Sequence, residues 1–326
     1  MEKELKWAVL GTGVIANEMA QALQKMGKKL YAVANRTYDK AIEFAEKYDA
    51  EKVYEKIEDM FTDKESDIIY ITTPHNTHIK FMLEALKNGK HVLCEKSITL
   101  NSEELEEAVK IAKEKNLILG EAMTIFNMPL YTKLSDIVNS GKLGDVKMIQ
   151  VNFGSYKEYD MNNRFFNRNL AGGALLDIGV YAISITRLFM TSKPDNVLSQ
   201  VKYAPTGVDE QVGIIMMNKE QQMSTIALTL HSKQPKRVVI ACEKAYIEVL
   251  EYPRADKAKI VYTETGEIEE IEEGITANAL QYEMQNMEKS VKSGINQMKL
   301  EYTRDVMDIM TNLRKEWGMT YPEEEK

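Results

Sequence analysis

The run Gly11-Thr12-Gly13-Val14-Ile15-Ala16 has the residue types and spacing of a turn that receives a pyrophosphate. Gly11 permits a tight turn, Gly13 lets the backbone approach phosphate oxygens, and Ala16 allows close packing of helix against strand. Thr12, Val14 and Ile15 lie at the start of the helix, where free N–H groups and a partial positive charge favour an anion. Such a GxGxxA turn is weak evidence alone. Here it follows an apolar run and opens an amphipathic stretch, which is the context the motif requires. A second group lies at Ala34-Asn35-Arg36-Thr37, where a dinucleotide site carries either an acid for ribose hydroxyls or an arginine for a 2′-phosphate. Arg36 can clamp phosphate through its guanidinium fork, Asn35 can donate a hydrogen bond, and Lys40 stands one helical turn on. Arg36 and Lys40 can also be read as solvated surface charges. The balance favours NADP, with NAD as the alternative.

These residues need a frame. The runs Trp7-Ala8-Val9-Leu10, Leu30-Tyr31-Ala32-Val33, Ile68-Ile69-Tyr70-Ile71, His91-Val92-Leu93-Cys94 and Leu117-Ile118-Leu119 are continuous rather than alternating. Such runs suit strands buried on both faces of a parallel sheet. Helical spacing appears between them over 15–26, 41–48, 79–86 and 103–113, with Asn101 or Ser102 placed to cap the last. This rhythm predicts a doubly wound Rossmann sheet over 1–122. After Ala122 the pattern changes. Longer, partly alternating strand candidates fall at 146–153, 211–217, 223–230, 238–240, 245–250 and 259–262, with helices near 130–138, 173–189, 277–291 and 303–317. Residues 123–326 are therefore expected to form an α/β domain with a large, mostly antiparallel open sheet.

The bulk composition narrows the function classes. The 326 residues include 42 basic and 50 acidic side chains, a net charge of −8 that argues against a phosphate-backbone binder. The two cysteines, Cys94 and Cys242, offer no disulfide framework and fit a reducing compartment. His75 and His78 lack a second ligand pair, so no metal is expected. The N-terminus enters a strand at once, and no apolar run approaches the roughly 20 residues of a membrane span. A cytoplasmic protein without nucleic-acid or membrane partners is expected. The 19 methionines read as adaptable core filler.

Several motifs together resemble the glucose-fructose oxidoreductase/inositol dehydrogenase (Gfo/Idh/MocA) family. They are the glycine loop, Thr73-Pro74-His75-Asn76-Thr77-His78, Cys94-Glu95-Lys96, and Gly172-Gly173-Ala174-Leu175-Leu176-Asp177-Ile178-Gly179-Val180-Tyr181. The likeness runs from Trp7 to Pro322. Within the family it is nearer to the dihydrodiol dehydrogenase branch, through Ala171 to Tyr181, Val208-Asp209-Glu210 and Gly318-Met319-Thr320-Tyr321-Pro322. The resemblance implies that Thr73, Pro74, Asn76 and His78 line the cofactor trough, that Glu95 and Lys96 lie beside the nicotinamide, and that Lys96, Asp177 and Tyr181 surround the substrate. It also implies a homodimer formed through the C-terminal sheet. Four positions depart from the family pattern. Ser97 replaces the usual proline, which would leave Lys96 less rigidly placed. Tyr181 stands where many members carry histidine. Thr124 and Phe126 stand where the nearer branch carries tryptophan and arginine, so the substrate does not transfer.

Carried over in this way, the residues suggest a chemistry. Oxidising an alcohol requires a base for the hydroxyl proton as hydride leaves carbon, and reduction requires the matching acid. A free phenol, with a pKa near 10, is a poor base at neutral pH unless an ammonium favours its phenolate. Tyr181 is therefore assigned as acid/base, Lys96 as electrostatic tuner and hydroxyl ligand, and Asp177, four residues before Tyr181 on one helix face, as orienting partner. From spacing alone the three also read as a post-strand charge, a buried helix acid and a core aromatic. Arg164 could reach the nicotinamide edge or an anionic substrate, or serve as a loop ion-pair partner. His78, near a helix start, is expected to position structure or cofactor rather than move protons. The leading expectation is an NADP-preferring dehydrogenase or reductase of a sugar, polyol or related small hydroxyl or carbonyl substrate. A dinucleotide-binding sensor without catalysis is the alternative.

Overall fold

The computed structural model describes residues 4–325. The first apolar runs form strands β1 (Trp7–Leu10), β2 (Ala32–Ala34), β3 (Lys52–Tyr54), β4 (Ile68–Ile71), β5 (His91–Glu95) and β6 (Leu119–Ala122). They pair in the order β3-β2-β1-β4-β5-β6, parallel throughout. Every residue of β1, β2 and β4 is buried, as two-sided coverage by helices requires. The covering helices are α1 (Val14–Lys25), α2 (Tyr38–Tyr48), α3 (Ile57–Thr62), α4 (His78–Lys87) and α5 (Ser102–Glu114). Asn101 caps α5 by accepting the Glu104 N–H at 2.9 Å. The strand order reverses between β1 and β4, and in such sheets ligands bind outside the strands' carboxyl ends at that point.

The second sheet has eight strands. They are β7 (Val146–Gly154), β8 (Asn196–Tyr203), β9 (Asp209–Met217), β10 (Met223–Thr229), β11 (Gln234–Cys242), β12 (Ala245–Leu250), β13 (Lys257–Tyr262) and β14 (Ile268–Glu272). Their order is β14-β13-β12-β11-β7-β10-β9-β8, antiparallel except for the parallel pair β7–β10. Helices α6 (Thr124–Asn127), α7 (Pro129–Asn139) and α8 (Val180–Phe189) accompany it. Helices α9 (Ala279–Ser293) and α10 (Leu300–Glu316) follow the sheet, and a 3-10 turn, Pro322–Glu324, comes after them.

The chain divides into two units. The first is Met1–Ala122 with Leu280–Leu300, and the second is Met123–Ala279 with Glu301–Lys326. The sequence-based expectation assigned all of 123–326 to one domain, whereas Leu280–Leu300 groups with the first unit. Glu288 on α9 explains this: it accepts from the buried Trp7 indole at 2.9 Å and pairs with Lys28. Strands β3, β8 and β14 had no counterpart among the expected strands. Each is an edge strand covered at most on one side, so none needs a continuous apolar run. The absence of a long apolar segment also needs correction. The stretch Arg168–Phe189 is long enough for a membrane span and holds an 18-residue window of mean hydropathy 1.3, yet 78% of that window is buried inside the protein, as in a core helix.

Candidate functional site

In the first unit, the expected cofactor residues gather at the carboxyl ends of β1, β2, β4 and β5. Gly11 follows β1 with φ +110°, and a Cβ there would lie 2.5 Å from Thr72 Oγ1, so only glycine fits the turn. A Cβ at Gly13 would meet nothing within 4 Å, leaving the backbone open to an approaching group. Gly13 caps α1 without a side-chain hydrogen bond, and the first turn holds no acid. Thr12 precedes this opening, and Val14 and Ile15 begin the helix, Val14 with its side chain 80% exposed. These are the features of a phosphate-accepting helix start. At the end of β2, Asn35 Nδ2 donates to Thr37 O at 3.0 Å, while Arg36 and Lys40 are exposed and form no ion pair among the described residues.

After β4, Thr73-Pro74 leads into a short 3-10 turn, His75–Thr77, and His78 begins α4. His78 is fully buried. Its Nε2 lies 2.7 Å from Thr73 O and its Nδ1 3.0 Å from Ser97 O. A neutral imidazole donates to only one of these carbonyls at a time. Burial pushes its pKa down, although both carbonyls favour the charged form. His75 Nε2 approaches Lys96 O at 3.0 Å, and Glu121 accepts the Ile98 N–H at 3.1 Å. The Lys96–Ser97 peptide is cis. Side chains from three elements, His75, His78 and Glu121, thus bond the backbone at 96–98. Glu95 accepts the Tyr70 hydroxyl, and Lys96 is half-buried. His78 ties the Thr73 loop to the Lys96 turn. The part played by His75 was not apparent from sequence, because its only signal was proximity to His78.

In the second unit, Asp177 and Tyr181 share one helical stretch. Leu175–Gly179 forms a π turn that continues into α8. Asp177 Oδ1 lies 3.9 Å from Arg164 Nη2, which brings together two residues singled out separately in the sequence. Arg164 also stacks over Phe165, 4.3 Å from its centroid. The Tyr181 ring sits 6.1 Å from that of Phe153 on β7. Thr124 and Phe126 are buried: the Thr124 hydroxyl donates to Pro253 O, and Phe126 packs 5.8 Å from Tyr302. Sequence reasoning gave no role to Asp209, which accepts the Leu175 N–H at 2.6 Å at the start of the same helix. Among the described residues no cluster of three or more His, Cys, Asp and Glu side chains could hold a metal. A groove bounded by Glu248, Leu250, Lys257 and Glu270 opens near β12–β14 and holds none of the expected site residues.

Comparison with known proteins agrees with the fold. The profile described as "Oxidoreductase family, NAD-binding Rossmann fold" of the Gfo/Idh/MocA group matches residues 5–123, and the group's C-terminal domain profile matches 131–248. Trans-1,2-dihydrobenzene-1,2-diol dehydrogenase of Xenopus laevis is 29% identical over 329 residues, covering 97% of this chain and 99% of that protein. The Homo sapiens enzyme of the same name is 27% identical, covering 99% of each. Among solved structures, a 3-ketoreductase from Actinomadura kijaniata with NADP and TDP-benzene superposes with a TM-score of 0.84 at 19% identity, covering 95% of this chain and 96% of that one. A levoglucosan dehydrogenase with NADH and levoglucosan gives 0.83 at 16%, covering 95% and 98%.

Proposed function

The chain belongs to the Gfo/Idh/MocA oxidoreductase family and is an NAD(P)-dependent oxidoreductase of small hydroxyl or carbonyl compounds, and from this premise we propose that it prefers NADP(H) and acts on a sugar, a polyol or a cyclic vicinal diol. The observation that carries the cofactor half is the convergence of Gly11-Gly13, Arg36, Thr73-His78 and Glu95-Lys96 on neighbouring strand ends of one parallel sheet. Arg36 and Lys40, exposed and uncommitted to any described acid, are suited to a 2′-phosphate. Thr12, Val14 and Ile15 would meet the pyrophosphate. Thr73, Pro74, Asn76, His78 and Glu95 would line the remainder of the cofactor site. Bound nicotinamide supplies the hydride donor or acceptor.

The protein's own residues would handle the proton. Tyr181 takes it from the substrate hydroxyl in oxidation and returns it in reduction. Lys96 carries the ammonium that favours phenolate, and Asp177 accepts a hydrogen bond that orients the substrate. Arg164, loosely paired with Asp177, would bind an anionic group or the nicotinamide edge. We further propose a cytoplasmic homodimer. Two free cysteines suit a reducing compartment. Leu198 and Ile215, register partners on β8 and β9, are 63% and 46% exposed and offer an apolar face to a second copy.

The test is a panel of aldoses, polyols and trans-1,2-dihydrobenzene-1,2-diol, each assayed with NADP+ and NAD+ by absorbance of the reduced cofactor. Turnover with at least one member and a lower KM for NADP+ are expected. A protein that binds NADPH tightly but turns over no panel member would instead be a dinucleotide sensor. Sedimentation tests the dimer.

A further inference from the structure

The helix that bears Asp177 and Tyr181 starts from a crowded glycine pair. Gly173 has φ +125°, and a Cβ there would come within 2.1 Å of Asp209 Oδ1. Asp209, at the head of β9, is fully buried. Its Oδ2 accepts the Leu175 N–H at 2.6 Å, and its Oδ1 has no hydrogen-bond partner. From a distant part of the sequence, the Tyr321 hydroxyl donates to Gly172 O at 2.7 Å. The Arg314 guanidinium lies 4.7 Å from the Tyr321 ring centroid. Arg314 is only 3% exposed and is gripped by both Glu324 oxygens at 2.7 and 2.8 Å.

A buried carboxyl with one oxygen unsatisfied is unfavourable for folding, and a neutral hydroxyl could cap the same N–H. The placement makes sense if the group fixes geometry. Leu175 begins the π turn, and Asp177 follows two residues later. Single π turns inside helices are frequent at functional sites, where they re-aim side chains.

We propose that Asp209 is a positioning residue: together with the Tyr321 hydroxyl it clamps Gly172-Gly173 and so sets where the π turn presents Asp177 and Tyr181. This rests on the assignment of Asp177 and Tyr181 to proton transfer. The groups that bear on Asp209 are the Arg314 guanidinium and the Leu175 and Ala174 N–H groups, all of which favour its ionised form, and the Tyr321 phenol. Glu324 binds Arg314. The adjacent Glu210 is engaged with Lys202 and Tyr159. Burial outweighs the favourable groups and pushes the Asp209 carboxyl up to about 7. The ionised carboxylate grips the helix N-terminus more strongly than the neutral acid. Turnover should therefore fall as pH drops through about 7. Stability moves the other way. The folded-state pKa is raised above the unfolded one, so the contribution is fully present below pH ~3.9 and is lost as pH rises through the folded value.

Asp209→Asn, Tyr321→Phe and Tyr181→Phe should be compared on the panel substrate turned over fastest, with amide exchange followed over 174–181. For Asp209→Asn a drop in kcat of about tenfold is expected, with an unchanged KM for NADP+ and faster exchange. The acid limb of kcat should disappear, and Tm at pH 8 should not fall. Tyr321→Phe should give a smaller drop of the same kind. Unchanged kcat in Asp209→Asn beside an inactive Tyr181→Phe would overturn the proposal and leave the assignment intact. A fully active Tyr181→Phe would remove the assignment and the proposal with it. Lowered Tm with parallel loss of NADP+ affinity in both clamp variants would make the contacts merely structural, and that too would overturn it.

Discussion

In the first unit the polar groups sit on loops that leave the parallel sheet at the ends of β1, β2, β4 and β5, and much of the binding surface is backbone: Gly11, Gly13 and the uncapped start of α1. In the second unit Asp177 and Tyr181 stand on one helix whose start is gripped by the side chains of Asp209 and Tyr321. Backbone sites depend on glycine and strand order, both local or periodic properties of a sequence. The second arrangement depends on contacts between residues more than 30 and more than 140 positions apart. The nucleotide half of such a protein is accordingly the generic half, and the side-chain clamp belongs to the half proposed to meet substrate.

The sharpest way to break this contrast is Tyr181→Phe. Turnover should drop by about a thousandfold while NADPH binding, followed by fluorescence titration, stays intact; full turnover would mean that the second unit does not supply the proton. Gly11→Ala forces a Cβ against Thr72 Oγ1 at a left-handed φ. A loss of about 2 kcal/mol of stability is expected in denaturant titration, together with weaker NADPH binding. Arg36→Ala should raise the KM for NADP+ about tenfold and leave that for NAD+ nearly unchanged, since one charge-assisted contact is lost. Equal effects on both cofactors would return Arg36 to the ordinary surface charges. The smallest effect is expected at Asn101, the cap of α5, where alanine should cost about 1 kcal/mol with kinetics unaltered. A kinetic effect there would show that the sheet's helices are coupled to the site more tightly than the contrast allows.

The parallel sheet was readable because Trp7–Leu10 and Ile68–Ile71 are buried on both faces and therefore apolar at every position. Edge strands escape that signal: β8 alternates exposed and half-buried residues, and β14 is mostly acidic. The glycine loop, Arg36, Asp177 and Tyr181 could be singled out from their types, spacing and resemblance. Asp209 and Tyr321 stood within noticed motifs, but their meaning lies in a contact with Gly172-Gly173 and Leu175 that no local pattern encodes. His75 was obscure for the same reason, since its partner is the carbonyl of Lys96. The assignment of Leu280–Leu300 also needed coordinates, because a helix's amphipathic stripe does not say which core it faces.

That returning segment has a consequence for how the protein can be divided. The polypeptide passes from one unit to the other after residues 122, 279 and 300. Asn296 Nδ2 donates to Leu119 O at 2.8 Å, and a Cβ on Gly120 would strike Met298. Cleavage at 122 would therefore strip the last strand of the nucleotide sheet of its cover and leave the Trp7 indole without Glu288. The dinucleotide-binding half is not a detachable cassette, and swapping it between relatives requires exchanging a piece from near each end of the polypeptide together.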